Sequence, residues 1–172
     1  MEPKPTLTVE RLRELLDYDP ETGEFRWKVR GKGRRVGVSA GGRRDNGLHR
    51  IMIDGARFKA HHLAWFYVYG VWPTGILDHR NETPADNWIS NLREATVTQN
   101  QQNRSRACSD SRTGLLGVSA NGKGWQARIV VDGKTRCLGT YATPEEAHHA
   151  YLAAKRKLHP FWQGSDQERP PA

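Results

Sequence analysis

Val9, Leu12, Leu15 and Leu16 recur at helical spacing behind Thr8, whose hydroxyl can cap a first turn, so the chain is expected to open with a short amphipathic helix. The period then drops to two. In EFRWKVR, Phe25, Trp27 and Val29 alternate with Arg26, Lys28 and Arg30, which predicts a half-buried strand with a basic open face. HRIMIDGARFKAH alternates on both sides of Asp54-Gly55, a dipeptide that favours a hairpin turn. HHLAWFYVYG reads as a short buried helix stopped by Gly70. From Ile76 to about Arg104 the chain turns polar and rich in Asn. An apolar pair, Ile76-Leu77, leads into a long polar loop, a second strand, and a helix. That helix opens at Thr96-Val97-Thr98-Gln99, which fits a capping box and puts Asn100 in the first turn.

RSRACSDSR, from Arg104 to Arg112, reads as a mobile basic linker. Beyond it the pattern predicts three short strands and a helix. WQARIVV and RCLGTYA flank Asp132-Gly133, a second hairpin signal. Thr143-Pro144-Glu145-Glu146 combines a capping Thr, Pro at the first helical position and Glu three residues after the cap. Ala147, Ala150, Tyr151, Ala154 and Leu158 then lay a narrow apolar stripe along that helix. Alternation turns Trp125, Ala127 and Ile129 toward the helix and Gln126, Arg128 and Val130 outward. The fold class expected is α+β, with residues 7–104 as one region, 105–112 as linker, 113–162 as a second module and 163–172 as a disordered tail.

Composition narrows the partners. Of 172 residues 27 are Lys or Arg against 19 Asp or Glu, a net charge of +8. Such an excess favours polyanions, because each phosphate neutralised releases condensed counterions. The cations also cluster, at 30–35, 43–44 and 104–112, which points to nucleic acid. No apolar run is long enough to span a bilayer, and MEPKPTLTVERLREL lacks the layout of a signal peptide, so a cytoplasmic protein without membrane contact is expected. Cys108 and Cys137 form no CxxC and are read as free thiols.

Candidate chemistry concentrates in ILDHRNETPADNWISNLREATVTQN. Asp78 and His79 are adjacent, Asn91 follows His79 by twelve positions, and Asn100 follows Asn91 by nine. A carboxylate and an amide oxygen carried by two elements suit a hard divalent cation such as Mg²⁺. This stretch resembles the ββα-metal motif of HNH endonucleases, in the branch with Asn at the third position, and HHLAWFYVYGVWPTGILDHRN resembles the lead-in of phage and mobile-element members. The resemblance implies a ββα-metal core over about 76–104 with an N-terminal β-hairpin extension. It implies His79 as general base, Asp78 and Asn100 as metal ligands for Mg²⁺ (Mn²⁺ as an alternative), and Asn91 as the residue that ties the loop and orients the base. Implied too are duplex DNA as partner and a homing-type cleavage leaving 5′-phosphate and 3′-hydroxyl ends. Glu82 stands where the family has Gly, so a reshaped loop tip is expected, and His62 stands where Arg is common. His61 and His62 are expected to pack or approach the backbone rather than to join a metal-ligand set.

TGLLGVSANGKGWQARIVVDGKTRCLGTYATPEEAHHAYLAAKRKLH is similar to the Apetala-type, or ethylene-response-factor, DNA-binding domain. The residues carrying the likeness are Gly117-Val118, Trp125, Ala127, Ile129, Leu138-Gly139-Thr140-Tyr141 and the TPEEAHHAY helix start. In that family a three-stranded sheet reads the major groove with a helix on its back. Lys123 and Arg128 are the leading contact candidates, with Arg136 behind them and Arg104, Arg106 and Arg112 in the linker. His148 and His149 are expected to pack or face solvent. No protein partner is indicated. The competing reading is a DNA-binding regulator whose nuclease region is vestigial.

Overall fold

The computed structural model describes residues 7–43, 47–109 and 111–162. The chain forms two compact units that divide between Val97 and Thr98. The division falls earlier than the boundary at 104 read from the sequence. The expected tail, 163–172, lies outside the described residues.

In the first unit α1 (Val9–Leu15) is capped as expected: the Thr8 side chain accepts from Arg11 N at 3.2 Å. Leu16, expected on the helix face, instead leaves the helix in extended conformation and opens β1 (Leu16–Tyr18), while staying fully buried. β1 was not anticipated, because three residues are too few to show a period. It pairs antiparallel with β2 (Phe25–Trp27) through Leu16↔Trp27 and Tyr18↔Phe25. Phe25 and Trp27 point into the core and Arg26 and Lys28 out to solvent, as the alternation demanded. Next comes a sheet of β3 (Gly42–Arg43), β4 (His49–Ile53) and β5 (Ala56–Lys59), in that order. Its β4–β5 turn is built by Asp54 (φ 45°) and Gly55 (φ 81°), the left-handed pair that a two-residue hairpin requires.

β5 runs directly into α2 (Ala60–Tyr69), which Gly70 ends in the left-handed conformation. Leu63, Ala64 and Phe66 of α2 pack with Leu12, Leu16, Phe25, Ile51 and Ile53 into one core. Trp72 stacks on Phe66 (4.1 Å between ring centroids) and on Phe58 (5.9 Å), which turns the chain back toward the sheet. Glu94 then fixes the next pairing. Its Oε1 accepts from Thr74 N at 2.6 Å and Thr74 Oγ1 at 3.0 Å, and these bonds hold the carboxyl below its usual range. β6 (Ile76–His79) and β7 (Leu92–Ala95) form a two-stranded ladder with Asp78 opposite Arg93 and His79 opposite Leu92. A 3₁₀ turn, Ile89–Asn91, leads into β7, and α3 (Val97–Asn103) follows it.

The N-terminal hairpin clasps the loop between β6 and β7. Ile89 N donates to Pro20 O at 3.0 Å, and the Tyr18 hydroxyl donates to Asn87 O at 2.7 Å. Gly23 lies so close that a β-carbon there would sit 2.4 Å from the backbone of Asn87 and Trp88, and its φ of +75° is in the left-handed region.

The second unit is an antiparallel meander in the order β10-β9-β8, made of β8 (Val118–Asn121), β9 (Gly124–Val131) and β10 (Lys134–Tyr141). Asp132 (φ 52°) and Gly133 (φ 73°) turn the β9–β10 hairpin. α4 (Pro144–Leu158) starts with the full capping box between Thr143 and Glu146 and buries Ala147 and Tyr151 against Ala127, Ile129 and Val131. Trp125 packs on this cluster half-buried, while Arg128 and Val130 face solvent.

The stretch expected to be a mobile linker is anchored within this unit. Arg104 O accepts from the buried Lys155 ammonium of α4, and Ser105 Oγ accepts from Trp162 Nε1 at 2.9 Å. The Lys155 ammonium also lies 4.6 Å from the Trp162 ring centroid. A basic, Ser-rich stretch carries no local sign of such distant partners.

Gly23→Ala is expected to destabilise the first unit by roughly 2 kcal/mol or more, since it adds both a backbone clash and φ strain. Glu21→Ala, at an exposed neighbour, should stay within about 0.5 kcal/mol of the parent. Urea unfolding of the two variants checks the contrast. Equal stability would remove the close approach at Gly23 from the fold.

Candidate active site

β6 delivers two polar side chains side by side at the end of an apolar strand. Strand alternation sends Asp78 and His79 to opposite faces, yet both are buried, because the returning loop covers one face and β7 contributes a polar partner on the other. Asp78 Oδ2 accepts from Arg93 Nε at 3.0 Å, and both side chains are less than one-tenth exposed. Burial pulls the Arg93 guanidinium down from its usual pKa, and Asp78 partly offsets this. Arg93 lay outside the sequence-derived set. Its signal was register: the residue two places after Asn91 faces Asp78 once β6 and β7 pair.

His79 is held by a residue that the sequence pattern did not single out either. Its Nε2 lies 3.1 Å from Asn87 Oδ1. The Asn87 amide is oriented by its own Nδ2, which donates to Ala85 O at 3.1 Å, so the oxygen faces the ring. An amide oxygen only accepts, which makes Nε2 the donor and leaves the lone pair of the neutral imidazole on Nδ1. Tyr18 completes the chain of contacts by bonding the Asn87 carbonyl, and burial pushes its phenol pKa up, keeping it a donor. His79 itself is pulled below its usual pKa by burial, with Asn87, Asp78 and Asp86 opposing, so the neutral form prevails near pH 7.

Asn91 knots the loop. Its Nδ2 donates to Asn81 Oδ1 (3.0 Å) and Asp86 O (2.7 Å), and its Oδ1 accepts from Asn81 N (3.1 Å). Around the same corner Arg80 N donates to Asn91 O at 2.9 Å and Glu82 N to His79 O at 3.0 Å. Glu82 adopts φ 55°, taking up the left-handed backbone that Gly would occupy without strain.

His61 packs edge-on to His79 with ring centroids 5.0 Å apart, and to His62 at 4.7 Å. It is 5% exposed, and its Nδ1 has no hydrogen-bond partner among the described residues. Burial first, then the neighbouring His79, His62 and Lys59, lowers its pKa to about 3. Among the described residues no three His, Cys, Asp or Glu side chains cluster as a metal site. Asn100 is exposed on α3 and belongs to the second unit.

The basic candidates of the second unit do not share one surface. Arg128 donates from Nε to Gln126 Oε1 at 2.6 Å, and Gln126 Nε2 lies 3.0 Å from Cys137 Sγ, so these three mark the open face of the sheet. Arg136 pairs with Ile129, whose side chain faces α4, and directly opposed residues project from the same face. Arg136 is therefore separated from Arg128. Lys123 sits exposed between β8 and β9, and Arg104, Arg106 and Arg112 are exposed. Arg104 Nε also donates to Arg106 O. Cys108 and Cys137 are free and exposed. His148 Nδ1 lies 2.9 Å from Leu116 O, and His149 is exposed.

With this geometry in view, residues 58–102 match a family model described as HNH endonuclease. Asp78, His79, Asn91 and Asn100 all fall inside the match, which points to a nuclease acting on DNA. It covers less than half of the chain and stops short of the second unit's sheet. Comparison with curated proteins and with solved structures gives no match. No described helix is long and apolar enough to cross a membrane.

The histidine trio makes acid lability an expected property. With a folded pKa near 3 against about 6.5 unfolded, His61 adds stability that is complete above about pH 6.5 and is lost as pH falls toward 3. The slope approaches about 1.4 kcal/mol per pH unit for one group. His79 and His62 shift the same way, so His61→Phe should reduce this loss without abolishing it. Urea unfolding at pH 7 and pH 5 checks it. A parent protein equally stable at both would show that the ring is not buried neutral.

Proposed function

We propose that the chain is a metal-dependent endonuclease of the homing type that hydrolyses duplex DNA to 5′-phosphate and 3′-hydroxyl ends. The observation that carries the proposal is the buried Asp78–His79 pair at the end of β6, with His79 held through Nε2 by Asn87. In this reading Nδ1 of His79 takes the proton from the attacking water, and neutrality near pH 7 equips it as general base. Asn87 keeps the ring in the right tautomer, and Asn91 keeps the intervening loop closed over it.

The donors fit a hard cation in kind. Asp78 offers a carboxylate and Asn100 an amide oxygen, the ligand types that suit Mg²⁺, with Mn²⁺ as the alternative. In this reading such an ion would supply stabilisation of the negative charge developing on the phosphate and leaving oxygen. The second unit would act as an Apetala-type DNA-binding module, with Arg128 and Lys123 as the leading contacts, Arg104, Arg106 and Arg112 along the phosphates, and Arg136 on the other face.

A second reading, a DNA-binding regulator with a vestigial nuclease site, draws on one observation. Arg93 already neutralises the carboxylate that a metal would need. Incubation with supercoiled plasmid in Mg²⁺ or EDTA separates the two, since only the nuclease gives open-circular or linear product.

His79→Ala is expected to lower cleavage about 10²–10⁴-fold with DNA affinity nearly unchanged. Asn87→Ala should lower it less, because the base remains but its tautomer is no longer fixed. Plasmid nicking rates at saturating enzyme check both, and wild-type rates in His79→Ala would exclude that ring from the chemistry. Asp78→Ala should abolish Mg²⁺-supported cleavage, and Asn100→Ala should weaken it less, because water can replace a neutral amide. Metal titration of activity is the measurement, and unchanged metal dependence in both variants contradicts this ligand set.

A further inference from the structure

The cationic cluster at 30–35 lies outside the catalytic loop and outside the second unit, and it has a defined shape. Beyond β2 the chain continues as a two-stranded ribbon. Trp27 N donates to Val38 O at 3.0 Å and Gly37 N to Trp27 O at 2.8 Å. Nearer the tip Gly31 and Arg34 exchange both backbone hydrogen bonds, closed by Lys32 and Gly33, whose φ is +72°. The sequence pattern predicts the strand but not this return, because Gly and Arg interrupt any alternation after Val29.

The ribbon borders a cleft of about 1010 Å³ whose lining, among the described residues, includes Arg30, Lys32, Arg34 and Arg35 and no Asp or Glu. Arg34 is held in place, 4.5 Å above the Trp27 ring and 4.0 Å from Asp54. Arg30, Lys32 and Arg35 are exposed, and among the described residues none of them pairs with a carboxylate. Beside them Val38 and Met52, about half exposed, line the same cleft. Like charges on one short ribbon repel one another, and a polyanion relieves that repulsion while releasing its counterions. A two-stranded β-ribbon is also a shape that the major groove of B-DNA admits.

We propose that residues 30–38 form a second DNA-binding element, which grips the phosphate backbone of the duplex that the nuclease site cuts. The proposal rests on reading that site as a DNA nuclease. β2 sets the spacing, because the chain passes from Gly23, packed on the catalytic loop, to Arg30 on the ribbon. Seven residues span at most about 25 Å, so the ribbon begins within that distance of the point where Gly23 meets the loop carrying Asn87.

The test uses the full chain carrying Arg30→Ala, Lys32→Ala and Arg35→Ala, with binding measured in EDTA so that cleavage cannot intervene. Duplex DNA affinity is expected to fall at least about tenfold at physiological salt. The slope of log K against log salt should drop by up to about three, near 0.9 for each phosphate that is no longer neutralised. Arg30→Lys with Arg35→Lys should keep the slope. Unchanged affinity and slope in the triple variant overturn the proposal. So does a loss confined to single-stranded RNA, which would name another partner. Plasmid cleavage in Mg²⁺ separates the two levels. A parent that binds duplex through the ribbon but never cuts refutes the nuclease reading alone, whereas a parent that cuts with a triple variant of full affinity refutes the ribbon alone.

Discussion

Asn87 is the residue on which the candidate site turns. It is buried and works in three directions at once: its carbonyl accepts from Tyr18, its amide nitrogen bonds Ala85 O, and its amide oxygen meets His79. A loop this polar has little hydrophobic reason to hold one shape. Its geometry comes from satisfying buried polar groups, each of which costs free energy if left unpaired. The N-terminal hairpin supplies the outer half of that satisfaction through Tyr18 and Pro20, and Gly23 lets the two backbones touch. Precision at His79 therefore depends on a hairpin far earlier in the chain, with the partners of the Tyr18 bond separated by 69 positions.

A similar logic governs Asp78. Burying a carboxylate at the end of an apolar strand would be costly alone, and Arg93 arrives on the facing strand to offset it. Removing Arg93 would take a guanidinium from a buried carboxylate, so the ion pair serves folding whatever the site does. It also means that any cation at Asp78 shares the carboxylate with a guanidinium.

The second unit has its own core and relies less on buried polar pairing. Ala127, Ile129 and Val131 on one strand face Ala147 and Tyr151 on one helix, and small residues let sheet and helix approach closely. Lys155 is one exception, a buried ammonium capped by the Arg104 carbonyl and the Trp162 ring. That interaction draws the segment around 104 onto α4 and stops it from behaving as a free linker.

The sequence by itself determined the elements whose signals are local. Thr8 and Thr143 announced their helix starts, Asp54-Gly55 and Asp132-Gly133 their turns, and alternation in β2 and β9 chose which side chains went inward. Caps, turns and periods involve residues within a few positions of each other, so a linear reading captures them. Likeness to a known motif also nominated Asp78, His79, Asn91 and Asn100, of which the first three fall in the first unit and Asn100 in the second. Only the tertiary structure decided the rest: β1 as a strand, Arg93 opposite Asp78, Asn87 on the His79 ring, Arg136 on the wrong face for Arg128, and the ribbon at 30–38. Each depends on register or on an interaction between residues distant in sequence. Such interactions form only when burial forces polar groups to find partners, and no window of the sequence holds both ends.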